Sequence, residues 1–293
     1  MRILFIGSVK LSGYVLQELI TMQAGVVGVC TLAESKFNSD HCDLTTIAYN
    51  ASIPVRYTPE INEPEVLNWI MSLRPDVIFC FGWSRLIKSP LLNLPRLGVI
   101  GFHPAYLPAN RGRHPLVWAL VLGLEETAST FFFMDQNADS GDILSQKKIN
   151  INLTDNALTL YAKITEAALE QIRDFVPRLI DGNFNRQPQD HRKANMWRKR
   201  GLADGRIDWR MAAISIHNLV RGLTRPYIGA HFDYNNQAIK VWRSEIVVDV
   251  PLNIEPGKVL QVDTHGVLVK AGIDAILLCE IDPKIEILAD SYL

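Results

Sequence analysis

The stretch GVIGFHPAYLPANRGRHPLVWAL, residues 98–120, indicates the fold of this chain more clearly than any other. Its first six residues are an almost uninterrupted apolar run that ends at His103, which is typical of a strand covered on both faces. A loop with two prolines follows, and Pro115 opens an apolar helical pattern. The stretch therefore predicts a strand, a loop and a helix, with a loop-facing His103 at the carboxyl end of the strand.

The same alternation extends on both sides of this stretch. RILFIG (2–7), GVVGVCT (25–31), DVIFCFG (76–82) and TASTFFFM (127–134) read as further strands, and segments with helical spacing separate most of them. A last long helix is predicted to stop at Gly182. Strands that alternate with helices favour the α/β class, here a Rossmann-like, mostly parallel sheet with helices on both faces.

The pattern changes after this helix. Residues 184–205 are polar and basic without clear periodicity, which predicts a linker. Residues 206–293 contain one helical segment and several short strands separated by turn residues, which predicts a small C-terminal β-barrel-like (OB-like) domain. We therefore expect a catalytic domain at 1–183, a linker at 184–205 and the barrel-like domain at 206–293.

Composition excludes several classes of function. The 293 residues include 30 Lys+Arg and 31 Asp+Glu, so no bulk positive charge attracts nucleic acid or an anionic membrane. No apolar run reaches the ~18 residues that a membrane-spanning helix needs, and the N-terminus lacks a signal-peptide cleavage site. We expect a cytoplasmic protein.

Cysteine spacing and the first glycine-containing turn exclude two further kinds of site. No two of the four cysteines, Cys30, Cys42, Cys80 and Cys279, have the CxxC spacing. This favours reduced thiols over disulfides or a zinc site, and we expect no metal. The turn GSVKLSG after the first strand lacks the GxGxxG pattern, so a nicotinamide-dependent oxidoreductase is disfavoured.

His103 has a potential partner about thirty residues later, in the acidic segment MDQNADSGDIL. One helix and one strand separate the two, and a βαβ crossover would bring Asp139 to a neighbouring strand end beside His103. A carboxylate orients an imidazole and stabilises its protonated form, which suits proton transfer at neutral pH. The residues alone leave two other interpretations open: a core histidine, and an acidic segment that only forms a turn.

The segments taken together resemble the N10-formyltetrahydrofolate-dependent formyltransferases. GFHPAYLPANRGRHPLVWAL is similar to the family signature NxHxSLLPxYRGxxPxxWA, and DSGDIL is similar to its DxGxI motif. IFCFGWSRLI looks like the folate-binding loop, and ADGRIDW with HNLVRGLTRPYIGA looks like the start of the C-terminal domain. The similarity runs in order from Met1 to about Asp282, and it looks closest to the enzymes that formylate nucleotide-linked amino sugars of the pseudaminic acid type.

The resemblance implies a reaction and a set of residues for it. The formyl donor is N10-formyltetrahydrofolate, the acceptor is an amine, His103 moves protons and Asp139 holds the charged His103. It also implies a role in one-carbon metabolism and surface polysaccharide biosynthesis. The pterin is expected between two segments, which supply Phe81, Gly82, Trp83, Arg85, Leu86, Ile87, Asn137, Ala138 and Ser140. Simple packing remains the alternative for Trp83.

The chain departs from the signature at Gly101, where the family has an asparagine that donates a hydrogen bond to the formyl oxygen. Loss of one such donor typically costs about 3–4 kcal/mol. Asn110, Arg113 and protonated His103 are the candidate replacements. Gly101 also has a purely structural interpretation, as a strand position that another group approaches closely.

Six residues are candidates for binding the acceptor substrate. Arg111 and Arg113 form a basic pair that suits a diphosphate, although solvated loop charges explain them equally well. Lys10 is a phosphate-binding candidate whose alternative is an ordinary surface lysine. The full set is Ser8, Lys10, Asn110, Arg111, Arg113 and His114.

Three functions remain open: an enzyme acting on a nucleotide-linked amino sugar, a methionyl-tRNA formyltransferase, and a non-catalytic folate- or nucleotide-binding module. A tRNA-binding protein should carry a basic C-terminal region, but residues 190–293 hold 14 Lys+Arg against 13 Asp+Glu. Residues 32–43, where the tRNA enzymes have a long basic insertion, are short and mildly acidic. Charge therefore favours the small-molecule substrate. A homodimer, through the sheet edge or the barrel, is left open.

Overall fold

The computed structural model describes residues 1–35 and 39–293. The three residues 36–38, within the segment expected to be short and acidic, lie outside the described residues. The chain forms two compact units. The first comprises Met1–Gly112, Thr127–Ile149 and Ala162–Trp197, and the second comprises Arg113–Glu126, Asn150–Tyr161 and Arg198–Leu293.

The helices of the described residues are α1 Lys10–Thr21, α2 Thr45–Asn50, α3 Pro64–Ser72, α4 Ser89–Leu92, α5 Pro115–Val121, α6 Ala157–Ile180 and α7 Ala213–Leu223. The strands are β1 Ile3–Ile6, β2 Val26–Thr31, β3 Val55–Tyr57, β4 Val77–Cys80, β5 Val99–His103, β6 Arg111–Gly112, β7 Glu126–Phe133, β8 Ile143–Asn150, β9 Met196–Trp197, β10 Ala230–Tyr234, β11 Gln237–Val247, β12 Val259–Asp263, β13 Gly266–Lys270 and β14 Ala275–Asp282.

The first unit is built on a seven-stranded sheet with the order β3-β2-β1-β4-β5-β7-β8. The pairs β1–β2, β2–β3, β1–β4 and β4–β5 are parallel. The strand β7 runs antiparallel to β5. The predicted Rossmann-like, mostly parallel sheet is therefore confirmed, with the exception of the edge that carries β7.

The central strands are buried on both faces, which explains their continuous apolar sequences. On one face, Leu4 and Ile78 belong to a core cluster with Ile70 of α3. On the other face, the ring of Phe79 lies edge-on to that of Phe175 of α6, with the ring centroids 6.2 Å apart. Helices thus cover both faces, as the sequence predicts.

The second unit contains a five-stranded antiparallel sheet with the order β10-β11-β14-β13-β12. Its core includes Ile216 and Leu219 of α7, Ile239 of β11 and Ile276 of β14. The helices α5 and α7 pack against each other. The predicted small β domain at the C-terminus is therefore present as an antiparallel sheet.

The four cysteines carry free thiols. Burial raises the pKa of Cys30 to about 12, so this thiol is an inert core group. No group of three or more His, Cys, Asp or Glu side chains that could hold a metal ion occurs within residues 1–35 and 39–293. In the same part of the chain, no helix combines the length and apolarity needed to cross a membrane.

Candidate active site

His103 is the last residue of β5 and is only 4% exposed. It pairs with Thr130 of the antiparallel strand β7, and its backbone carbonyl accepts a hydrogen bond from the Ala105 N–H at 2.9 Å. The ring faces Asn110 of the loop that follows β5, and it is packed there rather than exposed, because Asn110 and Asp139 both lie against it. Removal of the ring will therefore affect stability as well as chemistry.

Both ring nitrogens of His103 face oxygen atoms. Nε2 lies 2.7 Å from the backbone carbonyl oxygen of Asn110, and Nδ1 lies 3.5 Å from Oδ2 of Asp139. A carbonyl oxygen only accepts, so Nε2 carries a proton and donates it. In the neutral ring Nδ1 then holds the free electron pair. This nitrogen can accept a proton beside a carboxylate that stabilises the resulting imidazolium.

The acidic segment divides into a turn-forming part and a part that faces His103. Oδ1 of Asp135 accepts hydrogen bonds from the Asn137 N–H at 2.8 Å and from the Ser140 hydroxyl at 2.6 Å. Asp139 adopts a left-handed backbone conformation with φ of 55°, and its Oδ2 accepts the Gly112 N–H at 2.9 Å. Asp135 is therefore the turn residue of this segment, and Asp139 is the carboxylate that the structure brings to His103.

The route by which Asp139 reaches His103 differs from the predicted one. The sequence predicts a parallel βαβ crossover, but β7 is antiparallel to β5. The carboxyl ends of the two strands therefore lie at opposite ends of the sheet, measured along the strand direction. The turn after β7 brings Asp139 back towards the end of β5 instead. The closeness of the two residues depends on this turn and on the contacts that hold it.

Segment 189–197 supplies contacts that sequence reasoning missed. The Gln189 side chain donates to the backbone carbonyls of Asp139 and Gly141, at 3.0 and 2.7 Å. Oδ1 of Asn195 accepts the Asn110 N–H at 2.7 Å. The sequence predicts a polar linker at 184–205, because isolated amides in an irregular segment carry no periodic signal.

Arg111 is buried, although solvation in a loop was one of its two interpretations. Its Nη2 donates to Oε1 of Gln189 at 2.6 Å and lies 3.1 Å from Nδ1 of His191. Its Nε is buried without a hydrogen-bond partner in the described part of the chain. Neither contact of Nη2 is to a carboxylate, so the guanidinium retains a positive charge that suits a bound anion.

Arg113 and His114 belong to the second unit. Both are exposed. Desolvation of its ring lowers the pKa of His114, and the charges of Arg113, Lys199 and Arg200 lower it further. The lowered pKa favours the neutral ring, so His114 adds no positive charge to this part of the surface.

The first predicted folate-binding segment, residues 81–87, has a buried core side and an outer side. Phe81 is fully buried and stacks on Phe79, and Ile87 is buried in the core cluster that contains Leu4. Trp83 packs against the same cluster, and its indole N–H is buried without a partner among the described residues. An orphaned buried donor suits a ligand that carries an acceptor.

The remaining predicted residues of this segment are Gly82, Arg85 and Leu86, and they are half-buried or exposed. Gly82 has φ of 66°, and a Cβ there would lie 2.1 Å from Cγ2 of Val9, so only glycine fits. The Arg85 side chain donates to the Pro59 carbonyl and pairs with Glu60. Leu86 is exposed. The Arg85 guanidinium thus already binds groups of the protein, which weakens its assignment as a folate-binding residue.

In the second predicted folate-binding segment, Asn137 and Ala138 are exposed and Ser140 is buried. A cleft of about 420 Å³ opens beside Asn137. It is lined by Ser89, Leu92, Asn93, Met134, Asp135, Gln136 and Asn137. Amide and carboxylate groups beside apolar side chains suit a flat heterocycle with a hydrogen-bonding edge. Of the sequence-predicted folate residues, only Asn137 lines this cleft.

A second cleft, of about 190 Å³ beside Phe184, contains none of the predicted site residues.

Two acceptor candidates lie at the turn after β1. Ser8 is fully buried, and its hydroxyl contacts the Gly82 carbonyl oxygen at 3.4 Å. Lys10 is exposed at the start of α1. The buried Ser8 supports the packing of this turn against the end of β4, and Lys10 alone is accessible to a substrate.

Gly101 occupies a position with no room for a side chain. A Cβ there would lie 2.9 Å from Cζ of Phe132 and 2.9 Å from Cγ of Met134. Phe132 is the direct partner of Gly101 in β7. The aromatic ring therefore fills the space that an asparagine would need.

We expect Gly101→Asn to destabilise the protein and not to raise kcat, because overpacking of this kind typically costs about 1–3 kcal/mol. Thermal unfolding and turnover of Gly101→Asn and Gly101→Ala will check this, since alanine adds the clash without the amide. A kcat that rises more than tenfold in the asparagine variant alone would show that this strand lacks only the missing donor.

Comparison with known protein families agrees with this architecture. The model described as formyl transferase matches residues 1–176, and the model described as formyl transferase, C-terminal domain, matches residues 201–292. Most of the chain is therefore covered, with His103 and Asp139 inside the first match. Residues 177–200, which include Gln189 and Asn195, lie between the two matches.

Three solved structures illustrate the shared fold. WlaRD, a sugar 3N-formyl transferase solved in the presence of dTDP and 5-N-formyl-THF, has a TM-score of 0.72 at 16% identity, covering 97% of this chain and 99% of that one. HypX from Aquifex aeolicus in complex with tetrahydrofolic acid has a TM-score of 0.66 at 18% identity, covering 96% of this chain and 44% of HypX. Methionyl-tRNA formyltransferase from Clostridium thermocellum has a TM-score of 0.62 at 17% identity, covering 84% and 93%. This chain spans less than half the length of HypX, and at these identities the similarity shows the fold alone.

Proposed function

Because this chain belongs to the formyl transferase family, we propose that it transfers the formyl group of N10-formyltetrahydrofolate to the amine of a nucleotide-linked amino-deoxy sugar. The observation that carries the proposal is the enclosed pair at the end of β5, with His103 Nδ1 3.5 Å from Asp139 Oδ2. Formyl transfer to an amine requires removal of a proton from nitrogen, and an imidazole beside a carboxylate suits that task.

His103 and Asp139 divide the proton chemistry between them. As the amine nitrogen bonds to the formyl carbon, it becomes positively charged, and His103 Nδ1 takes one of its protons. Asp139 stabilises the imidazolium that forms. The bond between the formyl carbon and N10 then breaks, and the proton returns from His103 to N10. The products are a formamide and tetrahydrofolate, so that atoms and protons balance without a metal or a redox partner.

The formyl oxygen gains negative charge during this transfer and requires a donor. The backbone carbonyl of Asn110 contacts the His103 ring, and the same residue carries a half-buried side-chain amide. We assign the donor role to Asn110, since Gly101 has no side chain and no space for one. An Asn110→Ala variant is the corresponding test.

The cleft beside Asn137 is the proposed folate site. Its volume of about 420 Å³ and its mixed polar and apolar lining fit a pterin ring, and the orphaned indole N–H of Trp83 is a further candidate donor. Met134 links the two features, since it lines the cleft and packs against the same core cluster as Trp83. Asn137 is the residue we expect to meet the pterin edge.

Charge supports a nucleotide-linked sugar over tRNA as the acceptor. Residues 190–293 are nearly neutral, whereas binding to the phosphate backbone needs a basic surface. The buried and incompletely bonded guanidinium of Arg111 suits one compact anion such as a diphosphate.

The decisive experiment supplies the purified protein with N10-formyltetrahydrofolate and one acceptor at a time. The acceptors are dTDP- and UDP-linked amino sugars with the amine at different carbons, and methionyl-tRNA. We expect tetrahydrofolate and an N-formylated sugar in equal amounts with one nucleotide sugar, and no product with methionyl-tRNA. Formylation of tRNA alone would replace the proposed substrate class. Tight folate binding without turnover on any amine would favour a binding module.

A further inference from the structure

Two amides, a buried one on Gln189 and an exposed one on Asn195, connect segment 189–197 to the backbone around His103. Gln189 is 7% exposed, and its Oε1 accepts from Arg111 at 2.6 Å while its Nε2 donates to the carbonyls of Asp139 and Gly141. Both kinds of bonding group on this amide are thus in use. Gln189 thereby connects the turn that carries Asp139 to Arg111. The next residue, Gly112, donates its N–H to the Asp139 carboxylate.

Asn195 makes the corresponding connection on the other side of the ring. Its Oδ1 accepts the Asn110 N–H at 2.7 Å, and its backbone carbonyl accepts the Arg111 N–H at 3.1 Å. The Asn110 carbonyl in turn accepts from His103 Nε2. Asn195 therefore binds Asn110, whose carbonyl contacts Nε2 of His103. In the same way, Gln189 binds Asp139, whose carboxylate faces Nδ1.

The backbone at both contact points needs such support. Asn110 and Asp139 adopt left-handed conformations, with φ of 64° and 55°. Asn and Asp tolerate this conformation better than other residues with side chains, but it still costs free energy that contacts with the surroundings must offset. Gly141 lies so close to Phe133 that a Cβ there would be 1.8 Å from the Phe133 carbonyl oxygen. The turn is tight, and the amide of Gln189 bonds to both ends of its 139–141 stretch.

We propose that Gln189 and Asn195 are positioning residues, which hold the two oxygen partners of His103 at their distances from the ring. The proposal rests on the proposed function in assigning proton transfer to His103, and it concerns residues outside both family matches. Gln189 sets the Asp139 carboxylate against Nδ1, and Asn195 sets the Asn110 carbonyl against Nε2. The segment between the two matched regions is thus part of the active site.

Isosteric variants separate these contacts. Gln189→Glu keeps the acceptor for Arg111 and loses the N–H donors to residues 139 and 141. Asn195→Asp keeps the acceptor for the Asn110 N–H, whereas Asn195→Leu loses it. Gln171→Glu is the matched control, because Gln171 is equally buried and its Nε2 also makes two hydrogen bonds, to the Ser129 carbonyl and the Ser145 hydroxyl.

For positioning residues we expect a loss in kcat without a loss in binding. Gln189→Glu and Asn195→Leu should lower kcat about tenfold or more and leave both KM values within about twofold. Asn195→Asp should retain kcat within about threefold. Gln171→Glu should lower the Tm but leave kcat within about twofold. Wild-type kcat in both Gln189→Glu and Asn195→Leu would overturn the proposal, as would an equal loss in Gln171→Glu.

A second measurement does not depend on turnover. NMR of ¹⁵N-labelled histidine rings reports both nitrogens of His103, assigned by the loss of their signals in His103→Gln. We expect faster exchange of the Nε2 proton in Asn195→Leu and a changed Nδ1 shift in Gln189→Glu, with neither change in Gln171→Glu. Unchanged ring signals in both site variants refute the positioning role. If the wild-type protein formylates no amine, the proposed function fails. The ring signals would still show whether Gln189 and Asn195 hold Asp139 and Asn110 against the His103 ring.

Discussion

Replacing His103 with glutamine is expected to abolish formyl transfer, with kcat at least 10²-fold lower and up to about 10⁴-fold lower than in the wild type. Glutamine can still donate a hydrogen bond towards the Asn110 carbonyl, which His103 Nε2 contacts at 2.7 Å. It offers no nitrogen that takes a proton at neutral pH. Turnover with N10-formyltetrahydrofolate and the accepted amino sugar measures the effect.

His103→Ala should lose the same activity and also lose stability. The side chain is only 4% exposed, and its removal leaves the half-buried Asn110 carbonyl without its donor, which costs up to about 1–3 kcal/mol. Circular dichroism and thermal unfolding of both variants separate the two effects. More than a tenth of wild-type kcat in the folded glutamine variant would remove His103 from the mechanism.

Replacing Asp139 with asparagine is expected to lower kcat by about 10²-fold or more. The amide has nearly the shape of the carboxylate and keeps an oxygen that can accept the Gly112 N–H, which Oδ2 now binds at 2.9 Å. What it loses is the negative charge 3.5 Å from His103 Nδ1, which stabilises the imidazolium formed when the amine is deprotonated. Steady-state kinetics will measure this loss.

Asp142 supplies the matched control in the same acidic segment. Its backbone carbonyl accepts the Phe133 N–H at 2.8 Å, and this contact does not depend on the side-chain charge. Asp142→Asn should therefore keep kcat within about threefold of the wild type. If Asp139→Asn is as active as this control, Asp139 is only a turn residue.

Sequence patterns were reliable where burial determines the residue type. The apolar runs that end at Gly7, Gly82 and His103 predict strands covered on both faces, and the sheet order places them at its centre. The long helix predicted to stop at Gly182 ends at Ile180. These elements are predictable because a strand or helix covered by neighbours must be apolar along its contacts, and that requirement is local in the chain.

Neighbouring residues alone could not predict the details around His103. The antiparallel direction of β7 and the resulting enclosure of His103 depend on which strand lies beside β5. The contribution of Gln189 and Asn195 depends on single hydrogen bonds between residues 48 to 85 positions apart in the chain. Such contacts impose no periodic pattern on either segment, so composition favoured a linker there.

The sequence by itself determined the α/β class, the C-terminal β domain and the candidate pair of His103 and Asp139, because apolar periodicity and ordered motifs are properties of the chain alone. Only the tertiary structure decided which ring nitrogen of His103 faces which oxygen. It also decided why residue 101 is glycine, since the Phe132 ring from the adjacent strand occupies the space beside it. The physical reason is close packing: the room for a side chain is set by atoms distant in sequence, which no local pattern encodes.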